Sequence, residues 1–475
     1  MLTKMEAGQP VEAVLDALKA KRSNDASYDG RMFGMDFYAS ADGQQVAEAA
    51  YLMYMWENRL DPTVFPSVVE LESEIIAMAA SHLGGDATTV VSFTSGGTES
   101  VLLAVKTARD KARAERNIAT PNMVLPLTAH PCFHKGAAYF DVEARVVPVD
   151  PTTFQADVDA MREAIDENTV LLVGSAPSFA HGVVDPIEAI GALGLERNIP
   201  VHVDGCIGGF LLPYFRRAGA EVPPFDFSVP GVTSMSMDFH KYAYAAKGAS
   251  VVLYKDASFW RHQVFAYSGW PGYTIVNPTI QSSKSAGPLA ATWAVLRHYG
   301  DDGYLAIGQQ LKEARDRIVN AVDGIEGLQV LVQPHMSLVA IGTEGIPVFA
   351  LLERLGQRGW HLRPQLRLGD LPESFHMTIL PRNLPYLEAF IADLRTEAQA
   401  LRGTEAAAGQ LAAMLASVDL STMTDGDLTQ LIRSAGLVSG GAPGAEVNNL
   451  LNALQPEMRD RLASAYFEAL SLPTP

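Results

Sequence analysis

Apolar residues recur along this chain with two rhythms, and the rhythm changes at definite places. After Pro66, residues Val68, Leu71, Ile75, Met78 and Ala79 share one stripe of a 3.6-residue period through Leu83, and Ser67 with Glu70 has capping-box spacing. Together they predict an amphipathic helix. Short runs rich in apolar and β-branched residues follow at 89–93, 123–126, 145–149, 170–174, 201–204, 232–237 and 250–254, mostly separated by stretches of helical period. Strands alternating with helices in this way predict an α/β layered fold on a mostly parallel, seven-stranded sheet. From about Gly300 the pattern becomes a long helical stretch to Val322, then strand-like runs at 329–333, 337–341 and 375–379 with helix between them. A smaller C-terminal α+β domain is expected there. The stretch 403–439, rich in Ala, Gly, Ser and Thr, reads as a partly flexible extension, followed by a helix around 458–472. The expected division is 1–62, an N-terminal segment; 63–298, the large domain; 299–402, the small domain; and 403–475, the extension.

Composition narrows the class. A chain of 475 residues with 48% hydrophobic and 19% charged residues can bury a large core in two or three domains. A net charge of -18 excludes nucleic acid as the main partner, because a phosphate backbone is met by basic surface. Any anionic ligand must find a local basic pocket. Two cysteines, Cys132 and Cys206, without paired spacing suit a reducing compartment and exclude a disulfide framework. The first residues have no apolar signal core, and no run approaches the roughly 18 apolar residues that span a bilayer. A cytoplasmic protein without a membrane anchor is expected.

Lys241 carries the chemistry. It follows His240 in a tight connection between two apolar strands, 37 residues after Asp204, which ends a third. A lysine is usually a solvated surface charge, and one placed between buried elements needs a reason. A lysine amine and a strand-end carboxylate are what a pyridoxal phosphate enzyme requires: the amine forms a Schiff base with the aldehyde, and the carboxylate keeps the pyridine nitrogen protonated. The turn Thr94-Ser95-Gly96-Gly97-Thr98-Glu99-Ser100, between a strand and a helix, offers backbone N–H groups and the positive end of a helix dipole to a phosphate. Alone, it reads more simply as an ordinary capped turn, and it gains weight in company with Lys241. His130, after the strand-like run 123–126, suits stacking on a flat ring, and a capping or surface role is the simpler alternative. A zinc hydrolase is disfavoured, because no HExxH or comparably spaced triad accompanies His130, His134, His181, His202 and His240.

Longer runs then carry a resemblance. Asn58-Arg59-Leu60-Asp61-Pro62-Thr63-Val64-Phe65-Pro66, the 94–100 turn, Ala129-His130-Pro131, Ser178-Phe179-Ala180-His181-Gly182-Val183-Val184-Asp185-Pro186, His202-Val203-Asp204-Gly205-Cys206-Ile207-Gly208-Gly209-Phe210 and His240-Lys241-Tyr242 resemble the fold type I, group II decarboxylase-like enzymes of pyridoxal phosphate. The likeness is closest to the sphingosine-1-phosphate lyases, over about residues 28–400. It implies a fold type I architecture and pyridoxal 5'-phosphate as cofactor, with Lys241, Asp204 and His130 catalytic and Ser95, Gly96, Gly97, Thr98, Ser236 and His240 around the cofactor. Lys247, Tyr38, Phe179, His181 and Lys284 are implied as substrate contacts. The substrate implied is a small-molecule or lipid-phosphate amine, cleaved by retro-aldol chemistry to a long-chain aldehyde and phosphoethanolamine. A homodimer with shared active sites is implied too, the N-terminal segment completing the partner's pocket.

Three departures from the family pattern bear on substrate choice. The N-terminal Ser-Gly-x-x-Tyr appears as Phe33-Gly34-Met35-Asp36-Phe37, with Tyr38 one position late; Gly-Ser-Arg appears as Ser282-Ser283-Lys284; and Phe239 stands where a threonine is usual. The chain also lacks the membrane anchor of the eukaryotic lyases, which implies a soluble, bacterial-type form. The rival reading is an amino acid decarboxylase using the same cofactor, and a third is a binding protein that keeps the fold without the chemistry. Lys241 and Asp204 speak against the third.

Overall fold

Six of seven strands bury nearly every side chain on both faces, as a parallel sheet covered by helices on each side demands, and the edge strand at 143–147 buries only Val147. The computed structural model describes residues 7–23, 25, 30–61, 63–404, 422–434 and 444–472. The strands are β1 (Val90–Thr94), β2 (Asn122–Pro126), β3 (Glu143–Val147), β4 (Thr169–Ser175), β5 (Val201–Asp204), β6 (Val232–Met237) and β7 (Ser250–Tyr254). They lie in the order β1-β7-β6-β5-β4-β2-β3, and only β7 runs against its neighbours. Each lies within two residues of the run that the apolar pattern marked. Pairing places Ser175 beside Asp204 and Asp204 beside Ser236, so the C-terminal ends of β4, β5 and β6 share one level. Ligands of open α/β sheets bind at that edge.

The helices before and within this domain are α1 (Val11–Arg22), α2 (Ala41–Met53), α3 (Pro66–His82), α4 (Gly97–Arg116), α5 (Cys132–Phe140), α6 (Val158–Ala164), α7 (Ile187–Arg197), α8 (Leu212–Arg217) and α9 (Ala257–Trp260). The capping box expected at Ser67 and Glu70 is not made. Pro66 is itself the first residue of α3, because its fixed φ and missing N–H suit that position, so Ser67 already lies inside the helix. An exposed hairpin that the pattern did not mark, β8 (Phe265–Tyr267) with β9 (Ile275–Asn277), follows α9.

The second domain hangs from α10 (Gly287–Asp323), whose helical dihedrals break at Gly300, at φ 60°. The helix therefore begins well before the position where its period is legible. A four-stranded antiparallel sheet in the order β10-β11-β13-β12 follows, from β10 (Leu328–Val330), β11 (Leu338–Thr343), β12 (Arg363–Gln365) and β13 (Ser374–Thr378), with α11 (Val348–Gln357) and α12 (Leu387–Leu401) packed on it. Within the extension the described residues form three helices rather than one: α13 (Asp425–Ser434), α14 (Ala445–Ala453) and α15 (Pro456–Ser471). Leu428, Ile432, Ala465 and Ala469 give α13 and α15 their own small core, and Arg459 donates from α15 to the backbone oxygen of Arg367 at 3.0 Å. The rest of the stretch expected to be flexible lies outside the described residues. No helix among the described residues is long and apolar enough to cross a membrane.

Candidate active site

The sheet edge delivers four groups to one cavity of about 490 Å³, lined among others by Gly96, Gly97, Thr98, His130, Asp204, Asp238, His240 and Lys241. Asp204 is the last residue of β5. Its Oδ1 accepts from the Cys206 N–H at 3.0 Å and from Ser236 Oγ at 3.2 Å, while no donor among the described residues reaches Oδ2. Burial opposes its charge, but hydrogen bonds from Cys206 and the nearby His130 and Lys241 outweigh it and hold the carboxyl below the usual range. Asp204 lines the cavity, and its Oδ2 is left for a donor that the described residues do not supply.

Lys241 sits in the turn after β6, closed by its own N–H to the Asp238 carbonyl at 3.3 Å. Tyr242 beside it is fully buried and accepts from Ser337 Oγ at 2.7 Å, which ties the turn to the small domain. Lys241 Nζ lies 3.0 Å from Asp238 Oδ2. Burial lowers its pKa, yet Asp238, Cys206 and Asp204 together carry it above the ordinary lysine value. His240 Nδ1 accepts from the Ala249 N–H at 3.1 Å, and burial pushes the ring down to about 4. It is therefore neutral, with its proton on Nε2, 3.5 Å from Asp238 Oδ2. His130 is likewise depressed by burial, and its Nδ1 accepts from the Cys132 N–H at 3.2 Å.

The N-terminus of α4 opens into the same cavity without a side-chain cap. Its first N–H groups and the dipole of a 20-residue helix face whatever anion the cavity holds. The turn before it is rigid. Thr94 Oγ1, Ser100 Oγ and Ser250 Oγ form a buried chain at 2.6 and 2.8 Å, and Glu99 accepts from the N–H groups of Ser95 at 2.6 Å and Ile280 at 2.8 Å. Gly97 has no room for a side chain: a Cβ there would stand 2.7 Å from Cys206 Sγ and 2.8 Å from Asp238 Oδ2. A cavity-lining carboxylate held ionised, an uncapped helix N-terminus and a lysine fit pyridoxal phosphate, for which Asp204 would meet the ring nitrogen and α4 the phosphate.

Not every residue expected at the site reaches this cavity. Ser236 lies behind Asp204 and touches it rather than the cavity. Phe179 lines the wall, but His181, two residues on, is buried and stacked on Phe154 at 4.2 Å, outside the cavity. The run that carries both residues turns there, so adjacent numbers face opposite ways. Lys247 and Tyr38 line a neighbouring cavity of about 610 Å³, where Lys247 lies over the Phe37 ring at 5.0 Å. Lys284 lines a third, of about 270 Å³, that shares Ser95 with the first and Lys247 with the second. Its Nζ donates to the Phe93 carbonyl at 3.0 Å and faces Glu99, so it is built into the wall of the 94–98 turn. Asp238 was not marked from the sequence, although a carboxylate three residues before a lysine in a tight turn is a signal for it.

The family described as pyridoxal-dependent decarboxylase conserved domain matches residues 54–342, and a second, described as pyridoxal-dependent enzyme, C-terminal putative HTH domain, matches residues 409–469. The chain is 39% identical over 397 residues to the sphingosine-1-phosphate lyase of Arabidopsis thaliana, covering 82% of this chain and 72% of that one. Among solved structures, a sphingosine-1-phosphate lyase of Burkholderia pseudomallei matches with a TM-score of 0.81 at 36% identity, over 89% of this chain and 97% of that one. A glutamate decarboxylase of Lactobacillus brevis matches with a TM-score of 0.74 at 20% identity, over 84% and 95%, and shares the fold.

Proposed function

Because this chain belongs to the pyridoxal-dependent decarboxylase family, in its sphingosine-1-phosphate lyase branch, we propose that it cleaves a phosphorylated long-chain amino alcohol between C2 and C3. The products are a long-chain aldehyde and phosphoethanolamine. The observation that carries the reading is the convergence of Lys241, Asp204 and the α4 N-terminus on one cavity, in a chain similar to such lyases over four fifths of its length. Bound pyridoxal phosphate supplies the aldehyde that takes up the substrate amine and the ring that accepts the electron pair of the broken bond.

The chain's own residues do the rest. Lys241 Nζ is the amine that would hold the cofactor, and Asp238 Oδ2 at 3.0 Å pairs with and orients its protonated form. Asp204, its carboxyl held below the usual range, would keep the ring nitrogen protonated through a charge-assisted hydrogen bond. His130, whose pKa burial lowers, would stack on the cofactor ring, and the first N–H groups of α4 would take its phosphate. Lys247, with Tyr38 nearby, presents a point charge to the substrate phosphate from the adjoining cavity. Lys284 holds the 94–98 turn in place instead of touching substrate.

The same reading makes the enzyme a cytoplasmic homodimer. Cys132 and Cys206 are free buried thiols, as a reducing compartment permits. Helix α1 buries none of its residues, and Phe265, Tyr267, Trp270 and Tyr273 on the hairpin stand exposed, an apolar surface that a second copy would cover. The domains follow the division 1–62, 63–298, 299–402 and 403–475, with α10 as the bridge between large and small domains. Incubation of purified protein with sphingosine 1-phosphate and with aromatic and acidic amino acids tests the function. Aldehyde from the phosphorylated base supports it; carbon dioxide from an amino acid with no aldehyde refutes it.

A further inference from the structure

One segment of the cavity wall is held from outside the large domain. The loop 176–184 carries Phe179, which is 43% exposed and lines the cavity beside Lys241. The large domain holds the two ends of this loop, through Asp204 and Gln155, and stacks Phe154 on His181, while the small domain holds it around Phe179. The His335 N–H donates to the Gly182 carbonyl at 3.0 Å, and Gly182, at φ +72°, packs so closely on β11 that a Cβ would stand 2.3 Å from the Leu338 carbonyl oxygen. Gln365 Nε2, on β12, donates to the Ala180 carbonyl at 2.6 Å. The buried His376 ring, on β13, meets the Phe179 ring edge-on, with centroids 4.3 Å apart at 82°.

These contacts form one connected unit. Gln365 also donates to His376 Nδ1 at 3.4 Å, which leaves the His376 proton on Nε2, facing Thr378 Oγ1 at 3.4 Å. Ser374 Oγ donates to Gln365 Oε1 at 2.7 Å and fixes the amide's orientation. The imidazole is thus held in one orientation, and Phe179 rests on it in the geometry that aromatic pairs prefer. The phenyl ring also lines the cavity that holds the Lys241 amine.

We infer that Phe179 selects for an aliphatic chain on the substrate, and that His376 and Gln365 are positioning residues that set where this ring stands. The inference rests on the lyase reading and adds the group that favours a long chain over a short one. An apolar ring at the mouth gains contact area with each methylene that passes it, and nothing from a substrate that stops short.

The test measures kcat and KM for phosphorylated 2-amino-3-hydroxy substrates of short and long chain, with aldehyde as the product followed. Phe179→Ala is expected to lower the long-to-short ratio of kcat/KM roughly tenfold, mainly through the KM of the long substrate. His376→Ala should lower the ratio in the same way, the double variant should be no worse than either single one, and His376→Phe, which keeps a ring under Phe179, should restore it. Where His376→Ala does not fold, Gln365→Ala tests the same link. Aldehyde formation with an unchanged ratio in Phe179→Ala, or multiplicative losses in the double variant, overturns the inference alone. No aldehyde from any chain length with wild-type protein overturns the lyase reading and the inference with it.

Discussion

Two adjacent glycines, Gly96 and Gly97, should respond oppositely to the same substitution. At Gly97 an added Cβ would lie 2.7 Å from Cys206 Sγ and 2.8 and 2.9 Å from the two carboxylate oxygens of Asp238, about 0.5–0.7 Å inside ordinary contact. Neither neighbour is free to yield. Cys206 is buried with Sγ on Ser236 Oγ at 3.1 Å, and Asp238 is buried between Lys241 and His240. Overpacking of this kind costs about 1–3 kcal/mol, and here the displaced atoms are the partners of Lys241 and the start of α4. At Gly96 the Cβ would meet only His240 Cε1 at 3.5 Å, and the backbone is extended, at φ 161° and ψ 165°, where any residue fits. Gly97→Ala should lower the urea-unfolding stability of the cofactor-free protein by about 1–3 kcal/mol and weaken pyridoxal phosphate binding on the order of tenfold or more. Gly96→Ala should stay within about 1 kcal/mol, the usual difference between glycine and alanine at a helix N-cap. Equal stability losses in the two variants, or a greater one at Gly96, would refute the packing argument.

Asp204→Asn keeps an acceptor for Cys206 and Ser236 but removes the charge, so kcat should fall on the order of 10–100-fold, about 1.5–3 kcal/mol for a hydrogen bond to a charged group, with little change in stability. A kcat within twofold of the wild type would remove Asp204 from the mechanism. The buried rings of His181, His202 and His376 are pushed down to about 4, 4 and 3 from the ordinary 6.5. The unfolded chain therefore takes up protons first as pH falls below 6.5, so the stability these neutral rings contribute is lost below that pH. With all three acting, about 3–4 kcal/mol should disappear between pH 7.5 and 5.5 in urea titrations, and a flat profile would contradict it. Gly182→Ala places a side chain at φ +72° and against the Leu338 carbonyl, so the urea midpoint should fall by the equivalent of at least about 1–2 kcal/mol. An unchanged midpoint would mean that the loop is not pinned there.

What was legible in the sequence follows from which interactions are local. A buried parallel strand needs an unbroken apolar run, so all seven strands of the large sheet announced themselves, and Asp204 and Lys241 could be placed at strand ends. The hairpin from 265 to 277 is exposed on both strands and leaves no such pattern. Strand β12, only Arg363–Gln365, is too short to show a period. The capping box at Ser67 was a true spacing with a stronger competitor, because Pro66 starts the helix first.

The same division explains why the cofactor was easier to infer than the reaction. The groups placed to hold pyridoxal phosphate come from the ends of β1, β2, β5 and β6, and the sheet's register alone brings them together. Groups that could choose the bond to be broken come from elsewhere: Tyr38 from the segment before α2, Lys247 from the turn after Lys241, and Phe179 from a loop that β12 and β13, about 190 residues on, touch at Phe179 and Ala180. No local rule relates His376 to Phe179, and His181, implied as a substrate contact by the resemblance, stacks on Phe154 outside the cavity that Phe179 lines. The choice between carbon–carbon cleavage and decarboxylation therefore depends on how the small domain and the N-terminal segment sit against the sheet. Substitutions at Gln365 or His376 should alter substrate preference while the visible absorbance of the bound cofactor stays unchanged, whereas Asp204→Asn should alter both. A Gln365 variant that lost the cofactor along with its selectivity would show that the two functions are not separable in this way.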